Sequence, residues 1–114
     1  MYDFRERERR FLEAWKRGVL LAGPGCFKVK APTVEAATHK QQLEPDWDFI
    51  EASLTVRSRG EAAFLAAMCS FYNAEWGQTL LVRACYPNLC DLAAKLDAPY
   101  AQIIAELFLN YPGW

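Results

Sequence analysis

One histidine, a net charge of only −1 and no long apolar run set the first limits on this chain. A single imidazole confines any Cys–His nucleophilic scheme to His39. That residue sits in the polar string THKQQ, and no family signature surrounds any cysteine or serine. Near-neutrality withholds the electrostatic footprint of a dedicated nucleic-acid binder. It equally withholds the strong negative charge of a nucleic-acid mimic. The longest apolar run, residues 62–69, falls far below the ~20 residues a membrane span needs. No Walker loop or dinucleotide fingerprint occurs, since GPGCFK at 23–28 lacks both the length and the Lys-Ser/Thr ending of a phosphate cradle. There is no CxxC pair, no internal repeat, no low-complexity segment, and no linker long enough to divide two domains. The opening MYDFRERERR is too charged for a signal peptide. The expected compartment is therefore the cytoplasm, with Cys26, Cys69, Cys85 and Cys90 reduced and no metal or other cofactor.

What the chain does have is the material for a core. Its 114 residues are 53% hydrophobic and 14% aromatic, enough for one domain over 1–114 that buries roughly two-thirds of its unfolded surface. The periodicities predict a mainly α, compact helical bundle with a short extended segment near 26–31.

The strongest local signal is SRGEAAFLAAMCSFYNAEW at 58–76. Ser58 and Glu61 are spaced as a capping box. The following residues, apolar or small through Cys69, describe a helix that must be surrounded on all sides. It is predicted to run to Trp76 and stop at Gly77, with Phe64, Leu65, Met68 and Phe71 buried. Residues 3–17 place Phe4, Phe11, Leu12 and Trp15 on one helical face, with Glu6–Arg10 and Glu13–Arg17 pairs on the other. After the GPG break, Phe27 and Val29 alternate with Lys28 and Lys30 as in an edge strand. TVEAATHKQQLEP suits a short helix or an exposed loop. Pro45 reads as a first-turn residue before a helix carrying Trp47, Ile50 and Leu54, although 53–56 would also suit a strand. Further helices are predicted at Thr79–Ala84, Leu89–Leu96 and Pro99–Leu109, the last with Asp97 as N-cap and a stripe of Tyr100, Ile103, Ile104, Leu107 and Phe108.

Residues Leu92 to Ile103 resemble the helix-turn-helix string LAxxLGxSxxxI of many bacterial repressors, in the spacing of Leu92, Ala93, Leu96 and Ile103. The resemblance implies a DNA-reading second helix, but Asp97 replaces the turn glycine and PYAQIIAELFLN holds no Arg or Lys. Base and phosphate contacts draw chiefly on those residues. An ordinary helical hairpin is the expectation, with the degenerate motif at 92–103 kept as part of an alternative. That alternative is a nucleic-acid-associated regulator using Arg5, Arg9, Arg10, Lys28, Lys30, Arg57 and Arg59, because residues 1–30 hold eight Lys or Arg against four Asp or Glu. A third possibility is an enzyme or zinc protein built on His39 and the cysteines. The cysteine spacing lacks the tight ligand pairs of structural zinc sites, and Asp46, Asp48 and Glu51 are already accounted for as acids at a helix start.

The string 58–76 with the ending NYPGW also resembles segments of small proteins carried by bacterial mobile elements and phage. That resemblance implies an accessory context and no activity. The favoured expectation is a non-catalytic protein–protein interaction module, acting as an oligomer, an adaptor or an inhibitor of a larger partner. Four tryptophans and five tyrosines supply the aromatic anchors typical of interface hot spots. Trp15, Phe11, Tyr111 and Trp114, near the two ends of the sequence, are the expected anchors.

Overall fold

The computed structural model describes residues 3–84 and 86–113. Helix α1 (Phe4–Ala22) starts where Asp3 accepts the Arg5 and Glu6 amides at 3.0 and 3.3 Å, two of the donors a helix start leaves unpaired. It continues past Arg17 to Gly23, whose φ of 92° few other residues would adopt. Phe11, Ala14, Trp15, Gly18 and Val19 are its buried residues, the helical spacing of a single core-facing stripe.

The extended segment becomes β1 (Phe27–Val29), paired antiparallel with β2 (Leu43–Pro45) so that Phe27 faces Pro45 and Val29 faces Leu43. The polar stretch between them ends in a 3-10 turn at 40–42. Pro45 does not open a helix, contrary to the sequence reading. It closes β2, fully buried, and Asp46 caps α2 (Trp47–Ser53) by accepting the Phe49 amide at 3.2 Å. Residues 54–56 form a 3-10 turn rather than a strand.

Helix α3 (Arg59–Tyr72) is the hub, with every residue from Ala62 to Cys69 buried. Its cap differs from a reciprocal box. Ser58 Oγ accepts the Glu61 amide at 3.2 Å, while its hydroxyl donates to the Glu61 carboxylate at 3.1 Å. The helix also ends earlier than its composition suggests. Asn73 adopts an extended conformation and its side chain accepts the Trp76 amide at 3.0 Å, opening α4 (Ala74–Arg83). Gly77 is thus inside α4 and caps nothing, and it lies where α4 crosses the backbone of α3 at Ser70.

Helix α5 (Leu89–Lys95) is capped by Asn88, which accepts the Asp91 amide at 2.9 Å. Helix α6 (Ala98–Asn110) follows, with proline in its first turn. Asp97 holds the N-cap position without a capping side-chain bond. Among the described residues these six helices and one two-stranded sheet make a mainly α fold around one continuous buried cluster. Helices α1 and α6 pack on each other and α3 touches both. Arg17 accordingly reaches across to Glu106 rather than back to Glu13, which pairs with Lys16 at 3.5 Å.

Candidate functional site

Two of the aromatic anchors expected near the sequence ends, Phe11 and Trp15, are core residues. Trp15 and Phe11 have no exposed surface. The Trp15 indole donates to the Leu43 carbonyl at 3.0 Å and meets Phe27 edge to face at 5.7 Å, while Phe11 stacks on Trp15 at 6.2 Å. Tyr111 is half-buried against Phe11 and Phe71, each with ring centroids at 5.7 Å. Contrary to the sequence reading, the apolar stripe of α1 is covered, by α6 and by the β1–β2 pair, so Phe11 and Trp15 face inward. Trp114 lies outside the described residues.

Part of the apolar surface left uncovered is on α5 and α6. The stripe on α6 is wider than the contact it makes. Ile103 and Leu107 are buried, and Tyr100 stacks on Phe64 with centroids 4.5 Å apart and planes at 22°. Ile104 is only half-buried, and Phe108 and Leu109 are 65% and 72% exposed. Leu89 at the start of α5 is 71% exposed. Between the two helices runs an open groove of about 270 Å³, lined only by leucine, alanine, isoleucine and phenylalanine side chains. An exposed apolar groove of this kind is a candidate interaction surface; a second, of about 440 Å³, lies where the end of α1 meets β1, lined by Val19, Leu20, Phe27, Val29 and Val34 together with the GPG turn. The apolar stripe on α6 carries the first of these signals in the sequence, without distinguishing its buried part from its exposed part.

The helix-turn-helix-like segment is indeed two helices joined by a short turn. Its second helix presents Gln102, Phe108 and Leu109 to solvent, a surface suited to apolar contact rather than to bases and phosphates.

The basic residues do not gather into one patch. Arg5 and Arg9 line a cleft of about 370 Å³ with His39 and Lys40, whereas Arg57 and Arg59 line a separate one. Glu6 accepts from both Arg9 and Arg10, at 3.0 Å from each Nε, and the two guanidinium groups hold its carboxyl well down, to about 2. Lys30 pairs with Glu44 at 2.7 Å. Lys28 is exposed on β1. Arg57 is turned inward, donating to the Cys26 sulfur at 3.1 Å and lying 3.5 Å from Glu61.

The candidate catalytic and zinc residues do not form one group: Cys26 and Cys69 share the core, while His39 and Cys90 are exposed. Nδ1 of His39 lies 3.0 Å from the Thr38 hydroxyl on the surface. Cys26 and Cys69 are buried free thiols and Cys90 is exposed; Cys85 lies outside the described residues. Burial pushes both buried thiols up, against a smaller lowering of Cys26 by Arg57. That is the reverse of the thiolate activation a nucleophile needs. Among the described residues no three of His, Cys, Asp and Glu are grouped to hold a metal ion, and no helix is long and apolar enough to cross a membrane.

Comparison with family models, with curated proteins and with solved structures finds no match for this chain.

Proposed function

We propose that this chain is a non-catalytic protein–protein interaction module whose docking surface is the α5–α6 face. The observation that carries the reading is the outer half of the α6 stripe. Phe108 and Leu109, with Leu89 beside them on α5, expose large apolar side chains next to a groove without a polar lining residue. The chemistry asks for a partner segment that is itself apolar on one face, as an amphipathic helix laid in a groove is. The resemblance of 58–76 to small proteins of bacterial mobile elements motivates an accessory role, as an oligomer, an adaptor or an inhibitor. The buried free thiols fit work in the reducing cytoplasm.

The test compares wild type with a Leu89→Glu/Phe108→Glu double variant, by light scattering across micromolar concentrations and by affinity capture from a bacterial lysate followed by mass spectrometry. Both side chains are exposed, so the variant should keep its melting temperature while losing self-association or the captured partner. A wild type that is monomeric and captures nothing the double variant fails to capture would remove this reading.

A further inference from the structure

On a different part of the surface, α2 and α4 enclose a cleft of about 350 Å³ with a distinct chemistry. Helix α2 contributes Trp47, Asp48 and Glu51, and α4 contributes Trp76, Thr79 and Leu80. The spacing explains why. Trp47 and Glu51 are four apart on α2, and Trp76 and Thr79 three apart on α4, so each set shares a helix face. The two indoles meet at 82° with centroids 4.5 Å apart, forming a corner, and Trp76 is 52% exposed. Tyr72 supports Trp47 from behind, edge to face at 6.4 Å. A large aromatic left this open at the wall of a concavity is a contact surface in search of a ligand.

We propose that this cleft binds the head group of an organic cation, an alkylated ammonium or a guanidinium. The indole faces supply cation–π attraction, and the Asp48 carboxylate supplies the countercharge, Glu51 being already paired with Arg83. Both charged side chains lining the cleft are carboxylates, and the faces of aromatic rings are negative as well. A guanidinium is already tolerated at its margin, since Arg83 of α4 pairs with Glu51. Small hard cations are disfavoured, because they require about six or more oxygen ligands, whereas two walls here are hydrocarbon. A weakly hydrated organic cation surrenders less hydration on meeting an aromatic wall. The cleft lies at the small end of ligand-site volumes, which run roughly 300–1,000 Å³. It therefore suits a head group rather than an entire large ligand.

Titration of the intact chain at constant ionic strength, followed by tryptophan fluorescence and by chemical shifts of the indole N–H groups, tests the assignment. The probes are choline, its uncharged carbon isostere 3,3-dimethylbutan-1-ol, and the N-acetyl amides of trimethyllysine, lysine and arginine. Saturable shifts of the Trp47 and Trp76 signals are expected with choline or with at least one of the cationic amides, and the uncharged isostere should bind on the order of tenfold more weakly or worse. Binding by choline points to a free quaternary ammonium, and binding by an amide alone points to a protein side chain. Asp48→Asn and Trp76→Leu, both at solvent-exposed positions, should each weaken binding on the order of tenfold with an unchanged melting temperature. Equal binding of choline and its isostere overturns the proposal, as does the absence of a saturable response to every cation or the same affinity in both variants. The Leu89→Glu/Phe108→Glu variant should respond as wild type does, which separates this test from that of the α5–α6 face.

Discussion

A Cβ added to Gly77 would stand 2.1 Å from the Cα of Ser70, a distance no pair of non-bonded carbon atoms tolerates. Helices α3 and α4 therefore cross backbone to backbone at this point. The contact atom belongs to the main chain of the most buried helix, so it cannot swing aside as a flexible side chain would.

Gly77→Ala sets two effects against each other. Replacing glycine within a helix gains about 1 kcal/mol of propensity. Overpacking a rigid contact costs typically 1–3 kcal/mol and occasionally more. With backbone as the obstacle the clash should cost about 3 kcal/mol or more, so that urea denaturation shows a net loss of about 2 kcal/mol or more. A stabilised variant would mean that the two helices are not in contact at Ser70.

Trp15→Ala should destabilise by about 3–5 kcal/mol, through the cavity left by the indole and the loss of its bond to the Leu43 carbonyl. Leu65→Ala should cost about 2–5 kcal/mol for the first of these reasons. The measurement is again denaturant unfolding. A Trp15→Ala protein as stable as wild type, yet defective in partner capture, would restore Trp15 as a surface anchor.

Thiol labelling should be sharply selective. Cys90 is exposed, whereas Cys26 and Cys69 are buried with their thiols pushed up. Brief exposure to iodoacetamide at pH 7.5 followed by peptide mass mapping should find Cys90 modified well before either of the other two. Denaturant should abolish the difference between these three sites. Rapid modification of Cys26 in the native protein would contradict its position in the core.

Glu6 should titrate far below an ordinary glutamate, to about 2 instead of 4.5, because Arg9 and Arg10 both bond its carboxylate. Its folded-state value is depressed. Whatever this pair adds to stability is thus present above pH 4.5 and lost as the pH falls toward 2. The group is exposed, so the stability effect is small and the titration itself is the better readout. Carboxyl carbon shifts in wild type and in Arg9→Gln should show the midpoint moving upward in the variant. An unchanged midpoint would mean that the bonds to Arg9 do not form in solution.

The helices and their starts were largely legible, because side-chain caps and apolar spacing are local. Ser58 with its apolar run, and the stripe at Ile103 and Leu107, needed no tertiary information. The division at Asn73 was less visible because residues on both sides favour helix. Asparagine followed by Ala and Glu was the available signal, since its side chain serves a helix start well. The strand at Leu43–Pro45 could not be read locally at all, for three residues become a strand only when Phe27–Val29 lies beside them. The burial of Phe11 and Trp15 is hidden for a related reason. Position in the sequence does not give position in space, and both side chains are covered by segments some thirty to a hundred residues away, at Leu43 and Tyr111. The half of the α6 stripe that stays exposed, and the indole corner formed by Trp47 and Trp76, depend on which neighbours fail to arrive.

Pairing α1 with α6 has a consequence for the birth of the chain. Synthesis at about 5–20 residues per second separates Phe11 from Tyr111 by roughly 5–20 s. Throughout that interval the apolar face of α1 lacks the helix that will cover it. Loop closure between the two must come late, so the nascent protein spends its synthesis with an uncovered stripe available to chaperones and to neighbouring nascent chains.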